Sequence, residues 1–134
     1  MILFLRALFL VVFASMIGVT TWASLHQPLG DFARGAVIRD PWVIATLFDA
    51  YWAFVAFFVW VAWKEQSLAA RVLWFLSLIA LGNLAIAAYM LAQLVRVSAA
   101  APDALTTVFT ARQPGRLALP GTLTALSVAT YLLA

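Results

Sequence analysis

Apolar residues run along this chain in long blocks, and the polar residues are concentrated at the joints between them. The first block covers residues 2–24, the second 41–63 and the third 72–94, the last lying between Arg71 and Arg96. Each holds about 23 residues, enough to cross a hydrocarbon layer of about 30 Å with some tilt. Arg6, about one turn into the first, can snorkel back to the head groups. That block is long for a secretory signal, so an uncleaved spanning helix is the better reading. A fourth block, 117–133, is just long enough to span but carries Pro120-Gly121, so a re-entrant or surface-lying tail is its alternative. Before it, Asp103 to Arg112 reads as a short amphipathic surface helix with Leu105, Val108 and Phe109 towards lipid. At Asp40-Pro41 a capping carboxylate precedes a proline suited to the first helical turn. The pattern predicts an all-α fold, one domain over 1–134, built as an antiparallel bundle of four transmembrane helices.

Composition supports that class. Of 134 residues, 66% are hydrophobic and only 10% charged, and the mean hydropathy is +1.05. So short a chain has too little interior to hide that much apolar surface from water. The formal charge of +3 comes from scattered arginines at segment ends. That is a pattern of interfacial anchors rather than of a nucleic-acid surface. The absence of cysteine excludes disulfides, thiolate metal sites and thiol nucleophiles. Arginine far outnumbers lysine, which with the alanine and leucine content points to a GC-rich bacterial gene and a multi-pass protein of the inner membrane. Raw counting of basic residues over four spans favours the side opposite the N-terminus as cytoplasmic. Asp31, Asp40 and Asp103 accompany those arginines, however, and the rule weights the first helix and short loops most, which leans towards a cytoplasmic N-terminus.

Chemistry centres on Asp49, a lone carboxylate in the second block. On a helical projection it shares a face with Ala45, Ala53 and Ala56, and small residues mark surfaces where transmembrane backbones approach. Asp49 is therefore expected to point into the bundle. Ser15, Asn83, Thr122 and Thr124 fall at similar depth and complete a predicted buried polar layer. Asp49 can be a hydrogen-bonding tie between helices or, if the protein is an enzyme, its catalytic acid. Phe48, Trp52, Phe54, Phe58 and Trp60 cover the remaining circumference, facing lipid or a partner helix or lining a groove for a flat lipid. His26, the single histidine, is a weak metal or pigment ligand and reads better as an interfacial group. No metal or cofactor is required by these residues; bound lipid, quinone or carotenoid fits them.

The motifs TWASLHQ, DPWVIATLFDAYWAF, VWVAWKE and PDALTTVFTAR resemble a family of small bacterial integral membrane proteins of unknown function. The likeness runs from the first helix to about Arg112 and implies three spans, with the segment after Arg116 as an addition. It implies no activity. A fainter similarity is to small carotenoid-cyclase membrane domains, whose proline-glutamate motif is missing here. The expected function is that of a non-enzymatic accessory or scaffold subunit in a larger respiratory or photosynthetic type of complex, with membrane lipids and other integral subunits as partners. An isoprenoid- or carotenoid-modifying enzyme and a proton-coupled carrier are the alternatives.

Overall fold

The computed structural model describes residues 1–133. Seven α-helices follow in order: α1 (Ile2–His26), α2 (Leu29–Arg34), α3 (Pro41–Lys64), α4 (Leu68–Leu81), α5 (Asn83–Leu94), α6 (Ala104–Thr110) and α7 (Ala118–Leu133), with a 3₁₀ turn at Val37–Arg39. Among the described residues there is no strand, only an isolated parallel bridge between Glu65 and Gln113.

Two helices, α1 and α3, are long and apolar enough to cross a membrane, and both leave most of that apolar surface uncovered. The start of α3 is set as its sequence dictates. The Asp40 carboxylate accepts from the Trp42 amide at 2.8 Å and from Val43, and Pro41 occupies the first turn.

The expected third span is not one helix. It breaks at Gly82, which has φ 52° and ψ −123°, a backbone region that side-chain-bearing residues avoid. The chain reverses there. Trp74 of α4 meets Tyr89 of α5 with ring centroids 4.8 Å apart, and Leu78 shares a buried cluster with Ala85. These pairs straddle Gly82 symmetrically, which only an antiparallel hairpin allows. At 1.5 Å per residue its arms are about 21 and 18 Å long, short of the roughly 30 Å of a hydrocarbon core. The tip is clamped from α3, since a Cβ on Gly82 would lie 2.6 Å from Cζ of Phe54.

Around this hairpin the other helices arrange themselves. α1 packs on α5, α3 lies against both arms, and α7 packs on α4, whereas α1 and α3 scarcely touch. α7 keeps pace with α4 in the same direction: Ser77 Oγ lies 3.1 Å from Thr124 Oγ1, and Tyr131 donates to the Ala80 carbonyl at 2.9 Å. The N-terminus, the α3–α4 turn, the end of α5, α6 and the start of α7 therefore gather at one end of the molecule. α2 and the 3₁₀ turn lie at the other.

The inward face of α3 is its bulky one. Val61 is fully buried, with Phe57, Phe58 and Trp60 packed beside it, while Ala45, Asp49, Ala53 and Ala56 are exposed. The small residues that admit those rings belong to the hairpin: Gly82, Ala85 and Ala88. Large side chains supply the dispersion contacts and small ones the room, so one set from each side suffices. α6 likewise differs from expectation, because Val108 faces inward at 2% exposure, against Ile2, Met90 and Leu94.

Candidate functional site

Where the chain ends gather, the structure builds a buried polar cluster that the sequence pattern did not single out. Glu65, the sole glutamate, follows α3 directly and is 2% exposed. Its Oε1 accepts from the Tyr89 hydroxyl at 3.0 Å and from the Gln113 amide. The same amide donates to the Tyr89 oxygen at 3.2 Å, and Arg96 donates to the Gln113 carbonyl oxygen. Glu65 Oε2 is buried with no partner among the described residues.

Three elements are positioned by this arrangement. Gln113 N donates to the Lys64 carbonyl at 3.0 Å and the Gln66 amide to the Gln113 carbonyl at 3.0 Å, fixing the segment after α6 against the α3–α4 turn. Arg71 Nε donates to the Glu65 carbonyl at 2.7 Å, and the Lys64 ammonium donates to the Val108 carbonyl. Gly115, at φ 85°, then lets the backbone press against Ser67 and Ala70, where a Cβ would come within 2.6 Å of the serine Cβ. Tyr89 is fully buried beneath the edges of Trp74, Trp60 and Phe57. This geometry works as a clasp: a carboxylate shared by two donors holds three segments in register. The sequence carried a signal, since the sole glutamate lies in VWVAWKE, but its partners are 24 and 48 residues away.

The predicted polar layer is not assembled. Ser15 is exposed and bonds to the Val12 carbonyl of its own helix, and Thr122 likewise to Ala118. Asp49 and Asn83 are exposed on different faces, because α3 turns its aromatics inward and the Gly82 reversal carries Asn83 to the tip. Only Thr124 joins a buried contact, with Ser77 and the Leu73 carbonyl at 3.2 Å. The five aromatics divide. Phe48 and Trp52 are exposed. Phe54 covers Gly82, Phe58 meets Phe75 at 5.0 Å, and Trp60 donates to the Phe109 carbonyl at 3.1 Å. His26 is exposed at the end of α1, bonded through Nδ1 to the Trp22 carbonyl at 2.8 Å, with its ring tilted 37° to the Trp22 indole at 4.8 Å between centroids. Among the described residues, no three His, Asp or Glu side chains gather as a metal site.

Residues 1–113 match the model of a family described as a protein of unknown function, DUF1475. The chain belongs to that family. The matched stretch ends on Gln113, so it takes in every member of the clasp and leaves α7 outside. Comparison with curated proteins and with solved structures gives no match.

Proposed function

We propose that this member of the family is a non-enzymatic, multi-pass protein of the bacterial inner membrane, an accessory or scaffold subunit whose bundle is completed by helices of a larger complex. α1 and α3 cross the bilayer. The α4–α5 hairpin re-enters from the N-terminal side and turns back near mid-depth, where its irregular backbone is covered by Phe54.

Asp49 carries the reading. It lies about 4.5 Å from the middle of its span at 1.5 Å per residue. It is exposed, with no hydrogen-bond or ion-pair partner among the described residues. Intramembrane carboxylates are costly and face a bundle interior or an aqueous cavity, paired with something. Beyond the hairpin tip, α1 from Ala14 to His26 and α3 from Pro41 to Ala53 are exposed almost throughout. The face around Asp49 is made of alanines, on which a foreign helix can seat closely. A partner helix supplying a hydrogen bond to Asp49 meets both needs.

The test is native electrophoresis in mild detergent together with a photo-crosslinker at Ala53. The chain should migrate in a complex and Ala53 should crosslink to it. Asp49→Asn should keep the complex, and Asp49→Leu should weaken it from a few-fold to about twentyfold, since intramembrane hydrogen bonds average about 0.6 and reach about 1.7 kcal/mol. A monomer indifferent to both changes would refute the subunit reading. An Asn variant that assembles but is functionally dead would favour Asp49 as a titrating acid.

The hairpin also redistributes charge. Arg6, Lys64, Arg71, Arg96, Arg112 and Arg116 fall at one end and only Arg34 and Arg39 at the other. By the positive-inside rule the N-terminus is cytoplasmic. The chain has no cysteine, so single-cysteine labelling in vesicles checks this directly. Gln66→Cys and Ser98→Cys, both at exposed positions, should react from the cytoplasmic side and Arg34→Cys from the other. Opposite sides for positions 66 and 98 would mean that residues 72–94 cross as one helix.

A further inference from the structure

Because α1 and α3 both pack on the hairpin and not on each other, a furrow is left between them at the cationic end. It is a cleft of about 380 Å³. Leu5, Leu8 and Phe9 form one wall, Phe57 and Trp60 the other, and Met90 the floor. Phe109 of α6 closes the end, held there by the Trp60 indole bond to its carbonyl. The volume is within the range of small-molecule sites, and the lining is almost wholly apolar. We propose that this cleft is a selective site for an anionic phospholipid, one acyl chain lying in the furrow and the phosphate held at its mouth by Arg112 and Arg6. The proposal rests on the membrane placement given above, but not on any partner subunit.

Charge, not the furrow, commits the site to that occupant. In a bilayer an acyl chain gains little by leaving other chains for an apolar groove, because the surroundings are equally apolar. Selection must come from the head group. Arg112 lies just beyond Phe109, exposed, with Nε bonded to the Trp63 carbonyl at 3.0 Å. Its guanidinium lies over the Trp63 ring, 6.0 Å from the centroid, and its two terminal nitrogens have no hydrogen-bond partner among the described residues. Arg6, next to Leu5 of the α1 wall but outside the lining itself, donates Nε and Nη2 to the Leu94 and Val97 carbonyls at the end of α5 and leaves Nη1 without a partner there. Six of the eight basic residues share this end, with Glu65 and Asp103 as its carboxylates, and Glu65 is buried. A zwitterionic head group would bring a second cation into that field; an anionic one would not.

The experiment is native mass spectrometry of the delipidated, detergent-purified full chain titrated with phosphatidylglycerol or phosphatidylcholine of identical acyl chains. One phosphatidylglycerol should be retained in clear preference to phosphatidylcholine. Arg112→Gln should cut that preference about fivefold, the usual worth of one cation at an anionic lipid surface, and Arg112→Lys should restore most of it. Leu8→Trp, which fills a half-exposed wall of the furrow, should remove the retained lipid while the fold survives. Arg34→Gln, at the far end, should change nothing. Equal retention of the two lipids, or an Arg112→Gln variant that keeps the preference, would overturn the site while leaving membrane placement and the subunit reading standing. A chain that washes off membranes in alkaline carbonate would end both.

Discussion

Gly82→Ala should lower the unfolding free energy of the purified chain by about 2–6 kcal/mol, one of the two largest effects expected from a single substitution here. Two costs combine. A side chain at φ 52° and ψ −123° stores about 1–3 kcal/mol of backbone strain. The new methyl would meet the Phe54 ring at 2.6, 3.0 and 3.3 Å, and overpacking of that kind costs about 1–3 kcal/mol. The two parts separate in a Phe54→Ala background, where the clash disappears and the strain remains. Unfolding by SDS in mixed micelles reads both. A Gly82→Ala chain as stable as the parent would mean that α4 and α5 run on as one straight helix, and the hairpin would have to be abandoned.

The clasp should be nearly as sensitive. Glu65→Ala leaves the Tyr89 hydroxyl and the Gln113 amide buried without their shared acceptor, at a cost of about 3–5 kcal/mol. Glu65→Gln keeps one acceptor oxygen and Tyr89→Phe removes one donor, so each should cost only about 1–2 kcal/mol. Combined, those two milder changes should be non-additive by at least about 0.5 kcal/mol, as expected for groups in one network. A second readout is local. Release of Gln113 frees the segment carrying Arg112 and Arg116, and trypsin should cut there faster in Glu65→Ala than in the parent. Equal losses for the Ala and Gln variants would show that the carboxylate oxygens are not what holds the segment.

What could be read from the sequence follows from the range of the interactions. α1 and α3 were legible because long apolar blocks, the Asp40 cap and Pro41 act within a few residues. α6 emerged within two residues of its expected ends for the same reason. The hairpin was not legible. A glycine inside an apolar run looks like a tolerated helical glycine, and only its positive φ, with the Phe54 ring packed where a side chain would stand, marks a reversal. The orientation of α3 failed on a symmetric ambiguity: a small face and a bulky face can each be the packed one, and the choice lies with the partner surface. Ala85 and Ala88 made that choice here. Glu65 carries no local signal of its role, because its acceptor function depends on Tyr89 and Gln113, both distant in the chain.

The separation of α1 from α3 sets a timetable for biosynthesis. The helix that holds α1, α5, begins at Asn83, 57 positions after α1 ends at His26. On the membrane placement proposed above, and at roughly 5–20 residues per second, α1 waits roughly 3–11 s before the first residue of that packing surface is made. During that interval the Arg6 guanidinium lacks the Leu94 and Val97 carbonyls and must be held by water or head groups. Docking of α5 is therefore the event that commits α1 to its place. Any insertion factor or partner subunit that engages α1 has those few seconds in which to do it.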